Sequence, residues 1–322
     1  FVNDKTLIKA LLFGGHEITY QSWYGFDPDL LAAIGVDNSI ETNRRYNVAG
    51  IQFDGNGNFE GFYENQVDNY KQDHFQLHWN QQWTPAFQTN IALHYTRGRG
   101  FFEEYVDEWY YSNILFAPDA QFSFLGLENP IIDGEEVTTM DYIRRRWLDN
   151  DFYGTVFSGD YRKGPWQLTV GGGLNTYLGD HFGEVIWARY SGELERGDRY
   201  YEDDSQKDDF NVFAKANYLL DEKWRFFVDL QYRAVRYQAN GQETGLVDDR
   251  FRFFNPKGGL TYRLSSFQNL YFSYAVANRE PNRNDYENGN PKPEQLHDFE
   301  LGWRYQKKGT SLNANLYYMR YR

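Results

Sequence analysis

Trp166-Gln167-Leu168-Thr169-Val170-Gly171-Gly172-Gly173-Leu174-Asn175-Thr176-Tyr177-Leu178 follows directly on Lys163-Gly164-Pro165. In it Trp166, Leu168, Val170, Leu174 and Leu178 alternate with Gln167, Thr169, Asn175 and Tyr177. A period of two sends successive side chains to opposite faces, so the segment reads as a strand with one apolar and one polar face. The same alternation sets Phe75, Leu77 and Trp79 against Gln76, His78 and Asn80. It returns over residues 210–218, 224–232, 270–276, 299–305 and 312–318. Several of these strands reach about 10–14 residues, against about 5–6 in globular sheets. A tilted strand crossing a bilayer needs about 9–11.

The connections come in two kinds. Short polar turns lie at Thr84-Pro85-Ala86, Lys163-Gly164-Pro165, Asp221-Glu222-Lys223, 265–269 and Lys307-Lys308-Gly309. Between them run longer polar stretches, near 14–68, 103–146, 181–206, 239–249 and 280–296. Short turns at one end and long loops at the other are the pattern of an outer-membrane barrel. Counting strands this way gives about 11. No linker divides the chain, so residues 1–322 read as one all-β domain, a transmembrane antiparallel β-barrel.

Composition agrees with this reading. There are 27 Tyr, 26 Phe and 9 Trp among 322 residues, more rings than a core of this size requires. Trp83, Trp166, Trp224 and Phe267 fall at the short turns. Tyr95, Phe101, Phe102, Tyr177, Tyr237 and the 251–254 segment fall toward the long loops. Rings at both strand ends suit two girdles at the membrane–water boundaries. Mean hydropathy is only −0.77, but a barrel averages low because alternate residues face away from lipid. A net charge of −13 argues against nucleic acid as a partner, and with no cysteine there is no disulfide or thiol chemistry.

Asn255-Pro256-Lys257-Gly258-Gly259-Leu260-Thr261-Tyr262, Leu270-Tyr271-Phe272-Ser273-Tyr274-Ala275 and Arg279-Glu280-Pro281-Asn282-Arg283 follow one another in order. Asn290-Pro291-Lys292-Pro293-Glu294 and Asp298-Phe299-Glu300-Leu301-Gly302 come next. This succession resembles the barrel of TonB-dependent receptors, the energised transporters of the Gram-negative outer membrane. Thr19-Tyr20-Gln21-Ser22-Trp23-Tyr24-Gly25, Asp68-Asn69-Tyr70-Lys71-Gln72-Asp73-His74 and His94-Tyr95-Thr96-Arg97-Gly98-Arg99-Gly100 look like the Bacteroidetes branch. The resemblance implies a barrel of about 22 strands in lipid around a plug, coupled through TonB to an inner-membrane motor. About 11 strands are half of that, so the plug and the closing strands are expected to lie outside this sequence. Some members of the branch also work with a surface lipoprotein. The implied function is uptake of a small molecule such as a ferric siderophore, with no enzymatic step and no cofactor.

Candidate binding residues are cations beside rings in the long loops, a combination suited to an anionic aromatic ligand. One set is Trp23, Tyr24, Arg44, Arg45 and Tyr46. The other is Trp109, Tyr110, Tyr111, Arg144, Arg145 and Arg146. Holding the loops together is the competing role for each. Arg279 and Arg283 lie where haem receptors of the family carry Phe-Arg-Ala-Pro; here Asn278-Arg279-Glu280-Pro281 departs from it, which argues against haem. His74, His78 and His94 are expected to share the lumenal face as solvated wall residues. Asp54-Gly55-Asn56-Gly57-Asn58 lacks the Gly and Glu that an EF-hand needs and reads as a hairpin turn. Two other readings stay open: a passive porin-like or adhesin barrel, and a soluble exported β-rich protein that binds or hydrolyses carbohydrate.

Overall fold

The computed structural model describes residues 2–20, 25, 46–242, 244–289 and 291–322. Eleven long strands pair in chain order as one antiparallel meander. They are β1 (Thr6–Tyr20), β4 (Val67–Thr84), β5 (Phe87–Val106), β8 (Tyr142–Lys163), β9 (Trp166–Ala188) and β10 (Asp198–Leu219). The sheet continues through β11 (Trp224–Gly241), β12 (Gly245–Ser265), β13 (Gln268–Arg279), β14 (Glu294–Lys307) and β15 (Thr310–Tyr321). Two hairpins stand apart at the long-loop end, β2 (Ile51–Phe53) with β3 (Phe59–Phe62), and β6 (Ile131–Ile132) with β7 (Glu135–Glu136). The expected count of about 11 strands is therefore what forms.

Register keeps like with like across the sheet. Leu77, Leu93, Thr155, Leu174, Phe210 and Ala234 are successive cross-strand partners on one face. Further along, Leu260, Phe272, Leu301 and Leu316 do the same. Among the described residues nothing covers this face: Leu174 is 51% exposed, Leu301 50% and Val170, further along the same face of β9, 54%. A water-soluble sheet buries its apolar face, and this one presents it as a continuous belt, which is stable only against hydrocarbon. The opposite face carries Asn90, Asn175, Asn211, Asp229, Lys257 and Glu300.

At the short-turn end the rings close the belt. Trp166 lies 4.3 Å from Tyr218 and Trp224 4.4 Å from Tyr262, centroid to centroid, while Trp83 donates to Thr89 Oγ1. The turn Lys308-Gly309 has φ of 31° and 78°, so both residues sit in the left-handed region that matches the twist of a two-residue hairpin. At the other end the expected girdle is corrected. Tyr95, Phe101 and Phe254 share the belt's face, but the register turns Phe102, Tyr177, Tyr237, Phe251 and Phe253 to the polar face.

The strands also run longer than expected, from 12 residues in β13 and β15 to 23 in β9. Much of 181–206 and 239–249, expected as loop, is ladder: β9 reaches Ala188, and β11 and β12 are separated only by residues 242–244. Charged runs such as Glu202-Asp203-Asp204 and Asp248-Asp249 break the alternation there and hide the period, yet the ladder still pairs the backbone groups.

Candidate functional site

The main hydrophobic cluster lies above the belt, at the long-loop end, where β5, β8 and β9 extend together. Phe53 from the β2–β3 hairpin stacks on Tyr110 at 5.8 Å and meets the Trp109 ring at a tilt, 4.8 Å between centroids. Val106, Phe122, Leu125, Met140, Tyr142 and Val185 complete it. Asp54 holds the hairpin turn by accepting from the backbone N–H of Asn56 and of Asn58, as the sequence led one to expect. Asp107 ties the two halves of this cap, accepting from the N–H of Phe53 at 2.7 Å and of Tyr110 at 2.8 Å. Burial pushes the Asp107 carboxyl up to about 6, against the pull of those two hydrogen bonds.

The cap explains several of the candidate residues. Arg144 is buried and ion-pairs with Glu104 and Asp119, each at 2.7 Å. Tyr110 and Tyr111 are buried beside it. Tyr46 is buried in the same cluster, against Phe62. Arg145 points the other way, to Glu103 at 2.7 Å, with its guanidinium 4.3 Å from the centre of the Phe101 ring. Arg146 faces Tyr201 and Phe102. Trp109 and Arg145 remain partly exposed. Trp23, Tyr24, Arg44 and Arg45 lie outside the described residues; of the first expected cluster Tyr46 is described, and it joins the second.

A second assembly narrows the mouth on the polar face. After β13 the chain turns inward through a helical turn, Arg283–Glu287, capped at both ends of its first turn by Asn282 and Asp285. Tyr286 packs on Tyr237 and donates to Asp249 at 2.8 Å. Arg283 reaches His181 at 3.0 Å, Asp203 at 3.7 Å and Glu287 at 2.5 Å. Below it, Glu280 accepts from Arg233 and Lys207, and Arg233 also bonds Asp209. Burial alone would raise the Glu280 carboxyl, but the hydrogen bonds from Arg233 and Lys207 outweigh it and hold it down to about 2. Arg279 stays exposed at the rim, paired with Glu294 at 3.0 Å. Lys207, Asp209 and Arg233 carry no loop motif in the sequence; their shared parity with Asn211 and Asn175 is the signal that places them on this face.

Deeper on the polar face a hollow of about 450 Å3 is lined by His78, Asn80, Asn90, Ser158, Asn211 and Phe213. Another, of about 640 Å3 at the short-turn end, is lined by Arg225, Arg263, Tyr271 and Arg304. The three expected histidines do share this face, and each bonds a neighbour: His74 to Thr96, His78 to Gln76 and His94 to Asn175. Among the described residues no three His, Asp or Glu side chains gather as a metal site. The arrangement suits passage or docking of a hydrated, anionic solute, since its donors are amides and guanidinium groups.

Comparison with known proteins gives a family. Residues 18–322 match the model of the TonB dependent receptor-like β-barrel. No curated protein is significantly similar in sequence. Among solved structures, P. aeruginosa FpvA in complex with a pyoverdine and iron is similar with a TM-score of 0.59, at 13% identity over 100% of this chain and 40% of that one. The copper transporter OprC gives 0.54 at 13% identity, over 81% of this chain and 40% of that one. The closed form of the ferric-catecholate import receptor Fiu from E. coli K12 gives 0.53 at 13%, over 98% and 48%. This chain thus spans less than half the length of each.

Proposed function

The chain belongs to the TonB-dependent receptor-like β-barrel family, and from that membership we propose that it forms wall and mouth of an outer-membrane transporter for energised uptake of a ferric siderophore. The membership is the observation that carries this reading over a passive pore or a soluble carbohydrate binder. It implies transport rather than catalysis, with TonB and the inner-membrane motor as partners acting through a plug. The ferric siderophore is supported by two of the similar structures, named for a pyoverdine–iron complex and for ferric catecholate. The copper transporter keeps the broader class at scarce metals and their chelates. Substrate would meet the exposed rim, where Arg279, Arg145 and Trp109 retain free surface. Arg144, Tyr110, Tyr111 and Arg283 would fix the shape of that rim, and Tyr46 would join Trp23, Tyr24, Arg44 and Arg45 to it.

The test is radioactive iron uptake by cells lacking the complete protein and by the same cells with it restored. Ferric catecholate, ferric hydroxamate and ferric citrate are offered in turn, with and without a protonophore. Restored uptake of one chelate that the protonophore abolishes is the expected result. Uptake that persists without the proton gradient would mean a passive barrel. Cells that take up none of the three leave the siderophore reading wrong.

A further inference from the structure

The apolar face contains a trough of about 980 Å3. It lies between two cross-strand rows whose side chains the register places on that face. One row runs Tyr153, Thr176, Asp208, Arg236, Arg250 as successive partners across β8 to β12. The other runs Leu93, Thr155, Leu174, Phe210, Ala234, Arg252 across β5 to β12. At about 4.8 Å between strands, the second row extends over roughly 24 Å.

The trough changes character along its length. On β12 the belt consists of Phe254, Pro256, Leu260 and Tyr262, and Arg252 and Arg250 are the next outward-facing residues beyond it. On β5, Leu93 lies inside the belt, between Ile91 and Tyr95. The groove therefore begins at the level of lipid headgroups and descends into the hydrocarbon layer. Its carboxylates are already engaged: Asp208 accepts from Thr176 and Gln206, and Asp248, beside the mouth, takes both bonds from Arg236. Arg250 and Arg252 are exposed and, among the described residues, make no ion pair or side-chain hydrogen bond. Two spare guanidinium groups two residues apart on one strand present forked donors that match a phosphate.

The geometry points to a binding site for one phosphorylated lipid of the surrounding leaflet, its phosphate on Arg250 and Arg252 and an acyl chain along Leu174, Phe210 and Leu93. Guanidinium groups next to apolar surface are how membrane proteins select anionic lipids. The site rests on the family reading that this face meets the bilayer, and is independent of what the lumen transports.

The complete protein, purified in a non-ionic detergent, would be incubated with dipalmitoyl phosphatidic acid or dipalmitoyl phosphatidylcholine and examined by native mass spectrometry. The two share acyl chains and differ in headgroup. One phosphatidic acid adduct, retained roughly tenfold better than phosphatidylcholine, is expected. Arg250→Gln with Arg252→Gln should bring phosphatidic acid down to the phosphatidylcholine level, while Arg225→Gln with Arg263→Gln on the polar face should change nothing. Both arginines of the trough are exposed and, among the described residues, hydrogen-bond to no side chain, so the double variant keeps those bonds; far-ultraviolet circular dichroism checks the barrel, and the single variants serve should the double misassemble. Undiminished retention by these variants, equal retention of the two lipids, or displacement of the lipid by equimolar inorganic phosphate would each overturn the proposal. Failure of iron uptake would leave this comparison unaffected.

Discussion

Arg144 and Glu104 are register partners on β8 and β5, and their side chains meet at 2.7 Å with 2% and 0% of their surfaces exposed. Asp119 from the excursion between those strands takes the second guanidinium nitrogen at 2.7 Å. The guanidinium thus joins barrel to cap, in an interior where an unpaired charge is expensive. Glu104→Gln leaves that charge half-compensated and should weaken the cap by about 3–5 kcal/mol. Replacing both partners, Glu104→Leu with Arg144→Met, should recover most of the loss. Amide exchange at Met140, whose N–H bonds Ala120 in the cap, is the readout. Protection that is unchanged in Glu104→Gln would show that the pair does not hold the cap closed.

The belt gives a prediction that depends only on parity. Leu230 and Gln231 are neighbours in β11, but Leu230 pairs with Ala214 on the apolar face and Gln231 with Phe213 on the polar one. Leu230→Arg should cost about 2–4 kcal/mol in lipid, the price of a cation near the middle of the hydrocarbon. Asn211→Arg, on the polar face one strand away, should cost less than about 1 kcal/mol. Reversible urea unfolding in lipid vesicles measures both. Equal costs would mean that this belt does not lie in the bilayer.

The strands, their count and the position of the short turns were legible because lipid and lumen impose a strict period of two along the belt. Above it the cap rather than lipid covers the strands, and charged residues are buried as ion pairs. Glu103, Glu104, Arg144 and Arg145 therefore read as loop, although they are ladder partners with every second side chain turned into the cap. The cap itself could not be read, since Phe53, Tyr110 and Met140 come together from segments far apart in sequence. For the same reason cations beside rings looked like a ligand site, when Arg144 was already matched to Glu104. Arg233 carried a weaker signal, a charge at polar parity, and its partner Glu280 lies 47 residues on.

Tyr271 and Gly302 are partners on β13 and β14, and the tyrosine ring lies flat over the glycine, where any Cβ would overlap it. Phe227 covers Gly259 and Phe213 crowds Gly171 in the same way. Such ring-on-glycine pairs help pin the register of neighbouring strands. Gly302→Val should cost about 1–3 kcal/mol through overpacking. Adding Tyr271→Ser should restore much of it, because the obstruction is the ring. Urea midpoints for the two single variants and the double give the coupling. If the losses simply add, the ring is not what excludes a side chain there.

The inward loop carries a pH dependence with a defined sign. The Glu280 carboxyl is held at about 2 in the folded state, against an ordinary 4.5, by Arg233 and Lys207. A depressed pKa contributes stability that is present above the ordinary value and is lost as the carboxylate takes up its proton. The tether of residues 280–289 should therefore be intact above about pH 4.5 and weaken progressively toward pH 2. A spin label on Asn288, exposed at the end of the helical turn, reports the loop's mobility. It should stay restricted from pH 7 down to about 4.5 and loosen below that. Glu280→Gln should be looser already at neutral pH and lose most of the acid response. A variant that remains as restricted as the parent at pH 7 would show that Tyr286 on Tyr237, rather than the Glu280 carboxylate, holds the loop in the mouth.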